Sequence, residues 1–531
     1  MTLLSSLVAA WVADTRKNRP ALNVFLIALA WLSCLAWMRP LALPDEGRYV
    51  GVAWEMLASR DFVTPTLDGM PFLHKPPLFY WLTALFLHIV GPHEIAARGA
   101  SILAASAAVV AVYLTVSRWL GERCARIAAL VLATQPLFFA AAQYANMDML
   151  VAACISIAIL LGAAAAIRFE AAVANRRELA GMYVALALGV LTKGLIGLVI
   201  PATVLFLWLG FVGQWRTLRS LFWLPGVMTA AVIVVPWFAA TQWTHAEFFD
   251  YFFVVQQFRR FVGSGYNNVQ PIWFYVPVLL VLTVPWSGWL LTAVRPPREA
   301  RGAKPAVVSL MWIWVGTVFV FFSIPQSKLI GYILPALVPM AILVAHAVTP
   351  RFSRSGSALK WFRLSLGAAA SVCIGAAVGF ALAHPKSSRA LAAAMAGEFA
   401  PGDGVLFVDD YSYDLAFYLR ATVPAFVNTD WNPAEIQRHD NWRKELADAG
   451  AFAPTRARER LLDETQMLQA VCDGRIRWVI VKVDRSRSYP FLAQTLPFAR
   501  DGEKAVWKLD KFDLALRKLA GCEAGGVKRS P

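Results

Sequence analysis

The sequence predicts a polytopic α-helical membrane protein, with about 11–13 membrane-crossing helices, that ends in a small α/β domain. Three observations carry that expectation. The 531-residue chain is 58% hydrophobic and only 16% charged, with a mean hydropathy of +0.54. Apolar runs of span length recur as far as residue 382 and then stop. Between them, every second loop is basic.

The apolar segments are 21–39, 99–117, 127–143, 149–167, 179–192, 195–211, 221–240, 272–292, 306–322, 329–348 and 364–382. A run of roughly 18 or more apolar residues is long enough to cross the hydrocarbon core. Segment 179–192 is short, and 179–211 reads as a hairpin broken at Lys193-Gly194. The stretch 78–90 has the length of a re-entrant or interfacial helix. Pro136, Pro201 and Pro236 interrupt three segments, which membrane helices tolerate because neighbouring groups re-satisfy the freed backbone. No cleavable leader is expected, since Met1 to Ala13 is short and Arg16, Lys17 and Arg19 follow it instead of preceding it.

The basic loops fix the orientation. Arg16, Lys17 and Arg19 precede the first segment; Arg118, Arg123 and Arg126 follow the second; Arg168, Arg176 and Arg177 follow the fourth. Arg216 and Arg219 follow the sixth, Arg295, Arg298, Arg301 and Lys304 the eighth, and Arg351, Arg354, Lys360 and Arg363 the tenth. By the positive-inside rule these loops and the N-terminus are cytoplasmic. Most of the formal charge of +16 is therefore topology and headgroup attraction, and a nucleic-acid partner is excluded.

The other loops are 40–98, 144–148, Lys193-Gly194, 241–271, 323–328 and the tail from 384. On this topology all of them lie outside. They hold isolated charges beside span ends: Asp45 and Lys75, Asp148, Lys193, Arg259 with Arg260, and Lys328. The chain divides into a membrane domain, 1–383, whose external loop 40–98 is read as catalytic and contains its most polar stretch, Pro44 to Pro77, and an external soluble domain, 384–531.

The tail reads as α/β. VLFVDD at 405–410, RWVIVKV at 477–483 and KAVWKL at 504–509 are strand candidates, and DLAFYLR at 414–420 is helical. None of the six cysteines shows C-x-x-C spacing, so a zinc site of that kind is not expected. In an oxidising compartment Cys472 and Cys522 either pair or remain two distant thiols; spacing alone leaves both open.

Each charged residue has an ordinary reading. Asp45-Glu46 opens a helical pattern and Asp148 opens another, so both are placed to cap helix N-termini. Lys75, beside His74 and two prolines, and Lys328, at a span start, are placed to snorkel to the headgroups. Arg259-Arg260 sits in an aromatic-rich interfacial segment. Lys193 is harder to explain this way, because it breaks an apolar run. Two acids and several cations on one face suit a different task. A polyprenyl-phospho-sugar needs cations at headgroup depth and apolar walls below, and each charge-assisted phosphate contact contributes roughly 1.5–3 kcal/mol.

The motifs point the same way. DEGRY at 45–49, EML at 55–57, LHKPP at 73–77, YANMD at 144–148, LGVLTKGLIGLVIP at 188–201, EFFDYFFVVQQFRRF at 247–261, PIWFYVPVLL at 271–280 and FFSIPQSKLIGYILP at 321–335 follow one another in order. This series resembles the bacterial aminoarabinose transferases that modify lipid A. Those enzymes are part of the C-type glycosyltransferase (GT-C) superfamily that includes the protein O-mannosyltransferases. The resemblance covers roughly 40–350; the tail is similar only in kind.

The resemblance implies a GT-C fold and an inverting, polyprenyl-phosphate-sugar-dependent glycosyltransferase in the bacterial inner membrane, with its soluble domain periplasmic. The donor it implies is undecaprenyl phosphate carrying 4-amino-4-deoxy-L-arabinose, and the acceptor a lipid A phosphate. Asp45, with Arg48 beside it, and Asp148 would be catalytic. Lys75, Arg260 and Lys328 would hold the donor phosphate. Glu46, His74, Lys193 and Tyr332 are further candidates. The chain departs from the family at His74, where an acid is common, and at Gln256 and Gln257, where Glu or His precedes the family's arginine. These changes argue against an intrinsic metal site, and no cofactor is expected. They also widen the range of sugars, so a mannosyl or other polyprenyl-phosphate sugar moved to a protein or polysaccharide is the alternative. A lipid-linked-glycan transporter would place polar residues near mid-membrane and repeat its halves; this sequence keeps its polar residues at one edge and shows no repeat.

Overall fold

A computed structural model describes residues 20–259, 268–294, 305–352, 356–438 and 440–509, with short pieces at 519–520, 522–523 and 526–527. The chain groups into two compact units. The first comprises Met1–Arg39, Lys75–Leu82 and Arg98–His384; the second comprises Pro40–His74, Thr83–Ala97 and Pro385–Pro531.

The first unit is helical. Among the described residues six helices are long and apolar enough to cross a membrane: Gly99–Leu120, Met147–Glu170, Leu224–Thr244, Pro305–Ser323, Ile330–Phe352 and Gly356–Leu382. Two bent pairs, Glu122–Ala133 with Pro136–Ala142 and Tyr275–Leu282 with Trp286–Val294, raise the number to eight if each is one span. The remaining apolar segments fold as helices that fall short of this standard. Pro20–Ser33 and Ile196–Phe211 have 14 and 16 residues, and Arg176–Lys193 carries Arg176, Arg177, Glu178 and Lys193.

Packing follows from small side chains. Met147–Glu170, rich in alanine, lies against Gly99–Leu120, Arg176–Lys193 and Ile196–Phe211. The hairpin read at Lys193-Gly194 is present, with Gly194 ending the helix at φ 86°. Its arms touch backbone to backbone: a Cβ on Gly197 would lie 2.3 Å from the Gly189 carbonyl carbon. Without a hydrophobic drive between helices in lipid, such close approach is what holds them. Leu224–Thr244 and Gly356–Leu382 are largely exposed, as lipid-facing helices are.

Pro136 breaks its segment by 67°. It has no N–H, and the chain restarts as a new helix after Gln135. The break leaves the Ala133 and Thr134 carbonyls without helical partners, and buried carbonyls need donors. The Trp31 indole donates to Ala133 O at 2.9 Å, and the Trp286 indole donates to Thr134 O at 3.3 Å.

The second unit is built on a six-stranded sheet. Its strands are β3 (Gly404–Val408), β4 (Ala425–Asn428), β5 (Leu461–Leu462), β6 (Ile476–Lys482), β7 (Ala499–Asp501) and β8 (Lys504–Lys508), in the order β5-β4-β3-β6-β8-β7. The first four in that order are parallel; β8 and β7 are antiparallel. β3 is wholly buried and β6 nearly so, which is why both read as continuous apolar runs. Cys472 and Cys522 form a disulfide with Cα atoms 5.5 Å apart. It ties helix Glu464–Cys472 to a short ribbon near the chain end.

The same unit contains helix Asp45–Ser59 and the hairpin of β1 (Thr66–Leu67) with β2 (Met70–Pro71). Its two-residue turn is Asp68-Gly69, at φ 52° and 70°, the conformation that favours Asp-Gly in tight hairpins. Gly47 and Gly51 let the helix lie against Tyr413 and Asp414; a Cβ on Gly51 would meet the Tyr413 carbonyl oxygen at 2.6 Å.

Candidate active site

Helix Asp45–Ser59 separates the two adjacent acids. Glu46 is fully buried, and its carboxylate accepts from the Ala42 backbone N–H at 3.0 Å. This contact fastens the entry to the helix. The Asp45 side chain is 40% exposed. It makes no cap bond, contrary to the capping role its position suggests. It accepts instead from Arg48, one turn on, at 2.7 Å.

Arg48 also pairs with Glu445, and Glu445 in turn accepts from the Tyr413 hydroxyl at 2.5 Å. The Arg48 guanidinium sits 4.9 Å from the Tyr49 ring centre. Burial works against its charge, but Glu445, with Tyr49, Asp45 and Tyr413, outweighs burial and holds the guanidinium protonated well beyond its ordinary range. Burial and the neighbouring Glu445 push the Tyr413 phenol up, so it stays a donor. The chain Tyr413–Glu445–Arg48–Asp45 thus ends in a fixed and accessible carboxylate. His74 stacks on Phe72 at 4.2 Å and lies 3.6 Å from Asp448.

Glu55, in the EML motif, braces the hairpin. It accepts from Thr66 Oγ1 at 2.8 Å and from the Asp68 and Gly69 N–H groups at 2.7 and 2.9 Å. Burial still raises its carboxyl above the ordinary value. Asp68 is raised further, by burial and by Glu55, with Arg460 and Arg456 opposing.

In the first unit, Asp148 lies in the first turn of Met147–Glu170. Here too the capping expectation is corrected. The cap is Asn146, whose side chain accepts from the Asp148 N–H at 2.9 Å. That leaves the Asp148 carboxylate to form an ion pair with Lys193, at the end of the hairpin's first arm. The Lys193 ammonium lies 4.4 Å from the centre of the Tyr332 ring. Gly331 makes the arrangement possible, since a Cβ there would meet Asp148 Oδ2 at 2.4 Å. Lys328 is buried, and its ammonium donates to Gln270 O at 2.9 Å and Pro325 O at 2.5 Å. It fastens two backbone segments and does not snorkel. Lys75 belongs to this unit and is half-buried. Arg260 lies outside the described residues. Among the described residues no three His, Cys, Asp or Glu side chains are grouped so as to hold a metal ion.

The structure of ArnT from Cupriavidus metallidurans bound to undecaprenyl phosphate superposes with a TM-score of 0.75 at 24% identity, over 92% of this chain and 98% of that one. The chain has the fold of ArnT. The oligosaccharyltransferase AglB from Archaeoglobus fulgidus shares the fold more distantly, with a TM-score of 0.50 at 14% identity over 89% and 70%. Residues 74–239 match the family of dolichyl-phosphate-mannose-protein mannosyltransferases. In sequence the chain is similar to an undecaprenyl phosphate-alpha-4-amino-4-deoxy-L-arabinose arabinosyl transferase of Pseudomonas aeruginosa, 31% identical over 349 residues, 64% of this chain and 62% of that protein. A Sodalis glossinidius protein of that name, numbered 1, is 33% identical over 337 residues, 61% and 58%. The matches thus span about 62% of the curated relatives' length. The resemblance read from the motifs is borne out, and the chain is a multi-pass membrane protein with the ArnT architecture.

Sequence reasoning missed Glu445, Tyr413, Asn146 and Gly331. Asn146 was findable, because Asn is as good a cap as Asp and stands two residues earlier. Glu445 and Tyr413 carry no local signal.

Proposed function

We propose that this protein is an inverting glycosyltransferase of the bacterial inner membrane that moves 4-amino-4-deoxy-L-arabinose from undecaprenyl phosphate to a lipid A phosphate. Its N-terminus is cytoplasmic and its soluble domain, 384–531, periplasmic. The similarity to transferases so named, over 349 residues, carries the reading.

In the reaction an acceptor oxygen attacks the anomeric carbon. The bond to undecaprenyl phosphate breaks, and its electron pair leaves with the phosphate. Lys75, Arg260 and Lys328 supply the charge that stabilises the leaving group, Lys328 from a position where it also fastens the Gln270 and Pro325 carbonyls. Only charge stabilisation that grows toward the transition state accelerates the step. A phosphate acceptor is already anionic and needs no general base. Asp45, held by Arg48, then orients the sugar and stabilises its oxocarbenium-like carbon. Asp148 and Lys193 form the second charged element of the reaction. With a hydroxyl acceptor, Asp45 is the group to take the proton.

His74, Gln256 and Gln257 favour a second reading, in which another polyprenyl-phosphate sugar goes to a protein or polysaccharide. Mass spectrometry of lipid A decides between them. The chain is expressed in a host that makes the donor but lacks its own aminoarabinose transferase. A gain of one aminopentose, lost in Asp45→Asn and Lys75→Ala, is expected. No gain from a well-expressed chain rejects this sugar and acceptor.

A further inference from the structure

The parallel strands β5, β4, β3 and β6 all start at one edge of the sheet, and a cleft of about 620 Å³ lies there. It is lined by Arg460, Arg475, Arg477, Asp403 and Phe426, with Gly402, Gly404 and Gly474 in its rim. Its size falls within the ~300–1,000 Å³ typical of small-molecule sites. Its lining is chiefly polar, unlike that of a site for an apolar ligand.

The arginines are held in place by protein contacts. Phe426 is a post for two of them: the Arg460 and Arg475 guanidinium carbons lie 4.8 and 6.0 Å from its ring centre. Gly404 permits this, because a Cβ there would stand 2.8 Å from the Phe426 ring and 2.1 Å from the Arg475 carbonyl oxygen. Arg460 makes one long bond, to Ala425 O at 3.4 Å, and Arg475 lies 3.8 Å from Asp473. Arg477 Nε is buried, donates no hydrogen bond, and lies 4.0 Å from Asp403 Oδ1. Asp403 is turned toward the protein, with Oδ2 accepting from the Trp478 indole at 3.0 Å and from Ala400 N at 3.1 Å. Three guanidinium groups therefore meet only two carboxylates, Asp473 at 3.8 Å from Arg475 and the partly engaged Asp403 at 4.0 Å from Arg477. Planar guanidinium forks match phosphate oxygens in pairs, and stacking fixes them before the anion arrives. A surface that merely solvates its arginines has no use for a buried, unbonded Nε.

We propose that this cleft binds the phosphate of a phosphorylated saccharide, free or carried on a lipid. The site stands apart from the transfer reaction and is tested without any sugar donor. The full chain in phosphatidylcholine nanodiscs is titrated by calorimetry at low salt with glucose 1-phosphate and with inorganic phosphate. Binding to phosphatidylcholine vesicles with and without lipid A is measured in parallel. Saturable binding of glucose 1-phosphate is expected, weaker for inorganic phosphate. It should weaken about 10-fold or more in Arg475→Ala/Arg477→Ala and fall with added salt. The exposed Arg458→Ala should leave it unchanged. Binding seen only with lipid A vesicles, and lost in the double variant, assigns the lipid-borne source. If the double variant melts early, Arg475→Glu alone takes its place. No saturable binding of any probe, or equal binding by the arginine variants, overturns the proposal.

Discussion

Arg48 and Glu445 form an ion pair across 397 positions of sequence. The pair lies within the unit that unites Pro40–His74 with Pro385–Pro531, so segment 40–74 and the tail share one polar network. Both side chains are mostly buried, 17% and 11% exposed. Removing one partner of such a pair strands the other charge, which costs about 3–5 kcal/mol. Glu445→Ala and Arg48→Ala should each lower the unfolding temperature of the purified chain. The double variant should lose clearly less than the sum of the single losses. Additive losses would mean that the two side chains act independently.

Asp68 gives a pH dependence with a definite sign. Burial and Glu55 raise its carboxyl well above the ordinary value in the folded chain. The folded state therefore binds the proton more tightly than the unfolded one. The stability this contributes is fully present below the unfolded value, near pH 4, and is lost as pH rises through the folded value. Asp68 Oδ2 has no hydrogen-bond partner, and φ is 52°, a conformation asparagine accepts. Asp68→Asn should raise the melting temperature at pH 7 and flatten its fall between pH 4 and 7. A variant that melts lower at every pH would show that the ionised form is needed.

Part of this was legible in the sequence. The runs read as strands at 405–410, 477–483 and 504–509 coincide with β3, β6 and β8, because strands covered on both faces must be apolar throughout. β4 and β5, of four and two residues, are too short to show a period. Asp45 and Asp148 stood out as acids beside a membrane, but their partners obey different rules. Lys193 was visible as a charge in an apolar run. Glu445 is an ordinary acid in a charged helix, and only the fold brings it to Arg48. The same holds for Arg460, Arg475 and Arg477, whose shared position at one sheet edge follows from strand order.

The disulfide between Cys472 and Cys522 closes a loop with a sequence separation of 50. In the chain-entropy view a loop of that size contributes about 4 kcal/mol by restricting the unfolded chain. Reductant should lower the melting temperature of the wild-type chain and leave that of Cys472→Ser/Cys522→Ser unmoved. If reductant shifts both alike, the cystine is not the source of the stability.

Gly331 offers a test of the Asp148–Lys193 pair that leaves both charges in place. A Cβ at Gly331 would stand 2.4 Å from Asp148 Oδ2, so Gly331→Ala must displace the carboxylate or the short helix Ile330–Ala336. Overpacking of this kind costs about 1–3 kcal/mol. If the pair serves only to hold helices together, the loss appears in the melting temperature and turnover follows the fraction folded. If the pair takes part in transfer, small displacements matter far more, since misplacement by about 1 Å can cost about 100-fold in rate. Gly331→Ala should then lose about 100-fold in turnover at a temperature where it is fully folded. Asp148→Asn, which removes the charge with almost no change in shape, should lose at least as much. Normal turnover in folded Gly331→Ala would assign Asp148 and Lys193 to structure and leave Asp45 as the principal acid of the site.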